Sequence, residues 1–190
     1  MAAEENITFQ NLFDFYYEEY KPLYCDVSAA NKLPQEALLE TAAAFDHIAR
    51  HFLGEKGGTE TECAGKALSH LKRACLDMYK LEYVDAKESY DRLCRLPINL
   101  VDNGDFERIL HALFAETRKM AVEARCLEGQ KAVDSPAPAF EKWKLVYINC
   151  KRIASNEFLL NPKIGWARLR GGIKENLGIF LAILGLSLGC

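Results

Sequence analysis

Apolar residues recur three and four positions apart along most of this chain, the period of helices that bury one face. Residues 6–25 set Leu12, Phe13, Phe15, Tyr16, Tyr20 and Leu23 among Asp14, Glu18 and Glu19. Such an aromatic run fits a helix core better than a partner-binding face. Leu33-Pro34 opens a second helix, because proline suits a first turn. Leu38, Leu39, Ala42, Phe45, Ile48, Ala49 and Phe52 repeat along it at helical spacing. Gly54 and Gly57-Gly58 end it in a polar loop. A third, long helix is expected over 62–95, with Leu68, Leu71, Cys75, Met78 and Leu81 on its apolar face. Its second half is richer in charge, and is expected to project from the bundle or cross an interface. Pro97 breaks it. Asp102-Asn103-Gly104-Asp105 then reads as a turn into a fourth helix, running to about Leu127. A proline-rich linker, VDSPAPA, leads to a fifth helix over 140–160 that carries Trp143, Val146, Tyr147, Cys150, Ile153 and Phe158. Asn161-Pro162 interrupts, and a sixth element starts at Lys163. No segment alternates as a strand does, and no internal repeat appears. The expected fold is all-α: an antiparallel helical bundle over 1–161 with short connections. A basic linker and a C-terminal hydrophobic helix over 162–190 follow it.

The final stretch departs from this amphipathic pattern. After Glu175 there is no charge, and 177–188 is almost wholly apolar. Gly178, Ala182, Gly185 and Gly189 fall at intervals of four, three and four, which on a helix makes one stripe of small residues. A helix that is apolar all round needs lipid or a protein partner. A small-residue stripe lets helix backbones approach closely inside a membrane. Length counts against a simple span: crossing the hydrocarbon takes about 20 apolar residues. Residues 176–190 would reach only roughly 22 Å as a helix. Three readings follow: a longer membrane helix cut short, partial entry into the bilayer, or a sticky helix within an oligomer. The flank favours the membrane. Lys163, Arg168, Arg170 and Lys174 lie just upstream with Trp166 among them. Basic residues on the retained side and an interfacial aromatic are the expected anchors, and they would place residues 1–175 in the cytoplasm. Gly171-Gly172 could hinge domain and anchor.

Charge sharpens this picture. The whole chain carries −3, but residues 1–62 hold twelve acids and four bases, whereas 136–175 hold eight bases and three acids. The basic end adjoins the apolar tail, as an anionic membrane surface would require. The seven cysteines include no C-x-x-C, and the acidic opening MAAEENITFQ lacks the apolar core of a secretory signal. Reduced thiols packed as small hydrophobes are expected.

Candidate chemistry is sparse. His47 and His51 stand one turn apart beside Asp46 and Arg50, but no third ligand is evident; a helix edge with an Asp46–Arg50 ion pair is the better reading. Glu107 and His111 make a similar surface pair. Lys144, Lys151 and Arg152, interleaved with Trp143 and Tyr147, are candidates for phosphate binding, with a solvated basic face favoured over a nucleic-acid site. GEKGG lacks the order of a phosphate-binding loop. No catalytic residue, metal ligand or cofactor is expected.

The segments ALLETAAAFDHIARHF and KALSHLKRACLDMYKLEY resemble the helical core of HEPN-like domains over about residues 35–130. The resemblance implies an α-helical bundle of the kind common in prokaryotic antiviral and toxin–antitoxin systems. Catalytic members carry Arg, four residues, then His. Five residues before His47, His51, His70 and His111 stand Ala42, Asp46, Gly65 and Phe106, so that motif is absent. A helical domain with a terminal membrane segment also resembles small membrane effectors of antiviral defence. The expected protein is therefore non-enzymatic and membrane-associated, a homo-oligomer assembled through Gly178, Ala182, Gly185 and Gly189, with a further protein of the same system as a candidate partner. The alternative is a soluble, catalytically inactive HEPN-like module that binds nucleic acid or a protein partner.

Overall fold

Helices account for all regular structure among the described residues, and no strand occurs there. The computed structural model describes residues 7–30, 32–54, 58–129, 137–167 and 169. The all-α expectation therefore holds. Helix α1 spans Phe9–Phe15, a π-helical turn Tyr16–Tyr20, α2 Lys21–Ala29, α3 Gln35–Phe52, α4 Glu60–Cys94, α5 Asp105–Gly129 and α6 Ala137–Ala154. Short 3-10 turns at Ile98–Leu100 and Asp102–Gly104 link α4 to α5.

Local chemistry explains most boundaries. Thr8 and Asn11 form a reciprocal capping box at the start of α1. The first expected helix runs longer than 25 and contains a π turn. Pro22 offers a cause: it has no amide to donate and its ring crowds the carbonyl four residues back. The Lys21 amide reaches the Tyr16 carbonyl instead, the wider π spacing. Before α5, Asp102, Asn103 and Gly104 all take positive φ (48°, 56° and 90°). Those residue types tolerate the left-handed region, and so reverse the chain in three residues.

The chain forms two compact units, Met1–Tyr83 with Met120–Tyr147, and Val84–Lys119 with Ile148–Cys190. In the first unit α4 buries Ala64, Ala67, Leu71, Ala74, Cys75 and Met78, and Leu12, Tyr20, Leu23 and Val27 are buried there too. Long-range polar ties fasten this core. Lys32 pairs with the buried Glu82 at 3.0 Å, the Tyr147 hydroxyl donates to Asp26 at 2.7 Å, and Lys144 pairs with Glu19. Trp143 is buried and its indole N–H donates to Glu128, which also accepts from Lys80 at 3.0 Å.

The second unit is built on Ile98, Val101, Leu110, Leu113, Ile153 and Phe158, all buried. Phe158 meets Phe106 edge-on at 5.4 Å, and Tyr90 stacks on Phe114 at 3.9 Å. The charged second half of α4 keeps Ala86, Ser89 and Leu93 buried, so one face of it stays packed rather than projecting freely. The fifth helix stops at Ala154, short of the expected 160. Ser155 and Asn156 compete for backbone hydrogen bonds. The Ser155 hydroxyl takes the Arg152 carbonyl, and the turn that follows inserts Phe158 into the core.

The third helix departs furthest from its pattern. The large residues of the apolar repeat, Leu39, Phe45 and Phe52, are exposed, and the residues buried are Ala37 and Ala44. The small face points inward because neighbours crowd it. The Thr41 hydroxyl donates to the Ala37 carbonyl at 2.6 Å and is bonded to the Tyr20 hydroxyl at 2.8 Å, holding α3 close to the first helical segment.

Candidate functional site

The turn after α6 leads into a short helical stretch at 162–167. Asn161 opens it: its side-chain oxygen accepts from the Lys163 amide at 3.0 Å, and Pro162 fits the first turn. Ile164 and Ala167 face the core, which leaves Lys163 and Trp166 on the outer side. Trp166 is 73 % exposed, and Leu160 and Leu169 are exposed beside it in sequence. The Lys163 ammonium bonds both carboxylate oxygens of Asp102 at 2.7 Å, so part of its charge is spent within the fold. Leu100, Val101, Asp102, Lys163, Trp166 and Ala167 line a cavity of about 360 Å³. Of the expected membrane flank, Lys163 and Trp166 are thus adjacent and exposed. Arg168, Arg170 and Lys174 lie outside the described side chains. So does the whole stripe Gly178, Ala182, Gly185 and Gly189, with the Gly171-Gly172 hinge. Among the described residues no helix is long and apolar enough to cross a membrane.

Two of the phosphate-binding candidates, Lys144 and Arg152, are engaged with acids. Lys144 holds Glu19, and Arg152 makes two hydrogen bonds to Glu157, at 2.7 and 3.0 Å. Glu157, foremost, raises the Arg152 guanidinium above its ordinary value. Lys151 is half-buried. A phosphate would have to displace carboxylates already in place.

The histidines separate in the same way. Arg50 and Asp46 form the expected ion pair at 2.7 Å. His47 stacks on His70 at 5.2 Å, and His51 lies edge-on to Phe9 at 5.0 Å, so the two turn to different neighbours. His70 Nδ1 lies 2.6 Å from Glu40. Burial foremost, and His70 next, lower the His47 pKa below its ordinary value. His111 lies 3.7 Å from Glu107 and also bonds the Tyr90 hydroxyl at 2.7 Å, a partner the i,i+4 pattern did not show. No group of three His, Cys, Asp or Glu side chains among the described residues is placed to hold a metal. Cys63, Cys75 and Cys150 are buried and Cys25, Cys94 and Cys126 exposed; burial pushes the Cys75 thiol up to about 12, so it packs as an apolar group.

A groove in the first unit was missed by sequence reasoning. Leu12, Phe13, Tyr16 and Tyr17 form one wall, Thr41, Phe45 and Ile48 the other, and the cavity holds about 230 Å³. The π turn supplies consecutive Tyr16 and Tyr17 to one wall. The aromatic run over 6–25 was the available signal, but its periodicity alone assigned it to a core. Comparison with family models, curated proteins and solved structures gives no match.

Proposed function

We propose that this chain is a non-enzymatic, membrane-associated helical protein that self-assembles through its C-terminal segment. In this reading an antiparallel bundle carries a hydrophobic C-terminal helix, and residues 1–175 stay in the cytoplasm. The observation that carries it is the exposed Trp166 beside Lys163. An indole in solvent next to a basic residue suits the headgroup level of a bilayer, and the stretch that follows holds Arg168, Arg170, Lys174 and then no charge after Glu175. Small-residue faces of several tails would pack at Gly178, Ala182, Gly185 and Gly189, perturbing the bilayer or lining a pore. That mechanism matches the resemblance to membrane effectors of antiviral defence.

The test replaces Gly185 and Gly189 with Leu in the full chain. Flotation with anionic vesicles and the mass in detergent are then measured. The expected result is a smaller oligomer and lost vesicle permeabilisation; unchanged mass and leakage defeat the reading. A second reading, a soluble inactive HEPN-like module that binds a protein or nucleic acid, draws on the apolar groove of the first unit. It requires native protein that does not fractionate with membranes.

A further inference from the structure

The cavity in the second unit holds about 360 Å³. That lies within the roughly 300–1,000 Å³ of small-molecule pockets. Both of its walls are anchored. On one side Ile98 and Val101 are buried, and the Val101 and Gly104 amides close turns onto the Ile98 and Val101 carbonyls, each at 3.0 Å. On the other side Ile164 and Ala167 are buried, and the Asn161 side chain caps the stretch at the Lys163 amide. Asp102 sits at φ 48°, a left-handed conformation that Asp tolerates but does not prefer. Backbone held in such a region gathers at sites that clamp ligands. Leu100, Val101 and Ala167 give the cavity apolar lining. Among its described lining residues Asp102 and Lys163 are the charged ones, one of each sign.

Those two charges select the head of a ligand. An anion is repelled by Asp102 and a cation by Lys163, whereas a ligand carrying both charges is matched at both ends. The Asp102 carboxylate already takes a primary ammonium on both oxygens, at 2.7 Å from Lys163 Nζ. A primary ammonium on the ligand can make the same bonds and free Lys163 for an anionic oxygen. The exchange costs little, because both side chains are about half exposed and such a pair contributes little to the fold. An ammonium at this place also suits Trp166, a lining residue whose ring attracts cations. The surroundings select the other end. Trp166 is mostly in solvent, Leu160 is exposed in the turn before it, and Leu169 is exposed three residues on. A free zwitterion leaves these apolar groups in water, whereas the acyl end of a phospholipid gives them cover.

We propose that the cavity between the turns at 98–102 and the stretch at 162–167 binds the phosphoethanolamine headgroup of a phospholipid, with its ammonium on Asp102, its phosphate on Lys163 and Trp166 at the mouth. The proposal rests on reading Trp166 as a residue of the headgroup level. It adds which headgroup is held there, and it makes that hold independent of the C-terminal small-residue stripe.

The experiment titrates the full-length protein with dihexanoyl-phosphatidylethanolamine kept monomeric, below its micelle threshold. Two comparison ligands are glycerophosphoethanolamine, which lacks the chains, and dihexanoyl-phosphatidylglycerol, which lacks the ammonium. Calorimetry gives each Kd. Tryptophan emission reports the place, because the chain has two tryptophans and Trp143 is buried. The expected result is a saturable blue shift with the ethanolamine lipid, and binding of either comparison ligand weaker by roughly tenfold or more. Equal affinity for the glycerol lipid overturns the headgroup, equal affinity for the chain-free compound overturns the lipid, and no saturable shift overturns the site. A second measurement uses Asp102→Asn with Lys163→Gln, which removes both charges while Asn keeps its tolerance of left-handed φ. Far-ultraviolet circular dichroism stays unchanged and affinity for the ethanolamine lipid falls roughly tenfold or more. Unchanged affinity in the folded double variant also overturns the proposal. Should that variant not fold, the three-ligand comparison on the parent chain decides alone. The two readings fail separately. The glycine variants decide assembly on vesicles, and the monomeric lipid decides the headgroup without a bilayer.

Discussion

Replacing Ala37 by Leu and, separately, Phe45 by Ala asks directly which way α3 faces. Ala37 is 0 % exposed, so a leucine there forces extra methyl groups into a filled space. Overpacking of this kind costs about 1–3 kcal/mol. Phe45 is 69 % exposed, so only about a third of its side chain leaves water on folding. Full burial of phenylalanine is worth up to about 3 kcal/mol, so roughly 1 kcal/mol is at stake. Alanine returns up to about 0.7 kcal/mol through its better helix propensity. The net cost of Phe45→Ala is therefore within about 0.5 kcal/mol of zero. In a chain of this size 1 kcal/mol moves Tm by about 2–4 °C. Ala37→Leu should lower Tm by about 2–12 °C and Phe45→Ala by about 2 °C at most. Thermal melts followed by far-ultraviolet circular dichroism measure both. If Phe45→Ala is the more damaging change, the large face of α3 is buried and the argument for the groove fails.

Titration checks two other parts of the fold. Burial foremost raises the Tyr79 and Tyr147 phenols above their ordinary 10, with Cys75 the next cause at Tyr79 and the Asp26 hydrogen bond the next at Tyr147. A raised folded pKa makes their contribution complete below pH 10 and lost as pH climbs through the folded values. Tyrosinate absorbance should therefore show a class that ionises only with alkaline unfolding, and Tyr147→Phe should remove one member at a cost of about 1 kcal/mol. Equal, early ionisation of all eight tyrosines would contradict it. At the acid side, His47 is held below 6.5 by burial and by His70, so its contribution is complete above that pH and lost as pH falls through the lower folded value. Between about pH 7.5 and about pH 5.5, His47→Phe should lose less Tm than the parent chain. An identical slope would show that His47 does not carry the effect. Phe158→Ala removes a fully buried ring from the second unit and should cost about 3–5 kcal/mol. Denaturant unfolding would read a cost below about 1 kcal/mol as a sign that the turn does not anchor that core.

Local chemistry carried much of the architecture. Helical periodicity without any alternating segment specified an all-α chain, Pro97 and the Asp102-Asn103-Gly104 turn marked real breaks, and Asn161-Pro162 proved to open a helical stretch rather than to end the fifth helix. Each is a property of a few consecutive residues: a missing amide, a tolerated left-handed φ, a ring that fixes φ. The Asp46–Arg50 and Glu107–His111 pairs followed from spacing alone, because i and i+4 are neighbours on any helix. The basic flank with Trp166 and the uncharged end were likewise plain in the residues, and Trp166 is exposed.

Tertiary contacts decided the rest. Lys144 with Glu19 and Tyr147 with Asp26 join residues 125 and 121 positions apart, and no local rule selects them. Those ties took up a charge that, read alone, suggested phosphate binding. Most tellingly, α3 is apolar on more than one side. Its period said that it is a helix, but period cannot say which side a neighbour will cover. Tyr20, bonded to Thr41, and the close approach at Ala37 and Ala44 settled that, by leaving room for methyl groups and none for phenylalanine. The aromatic face was thereby left in solvent.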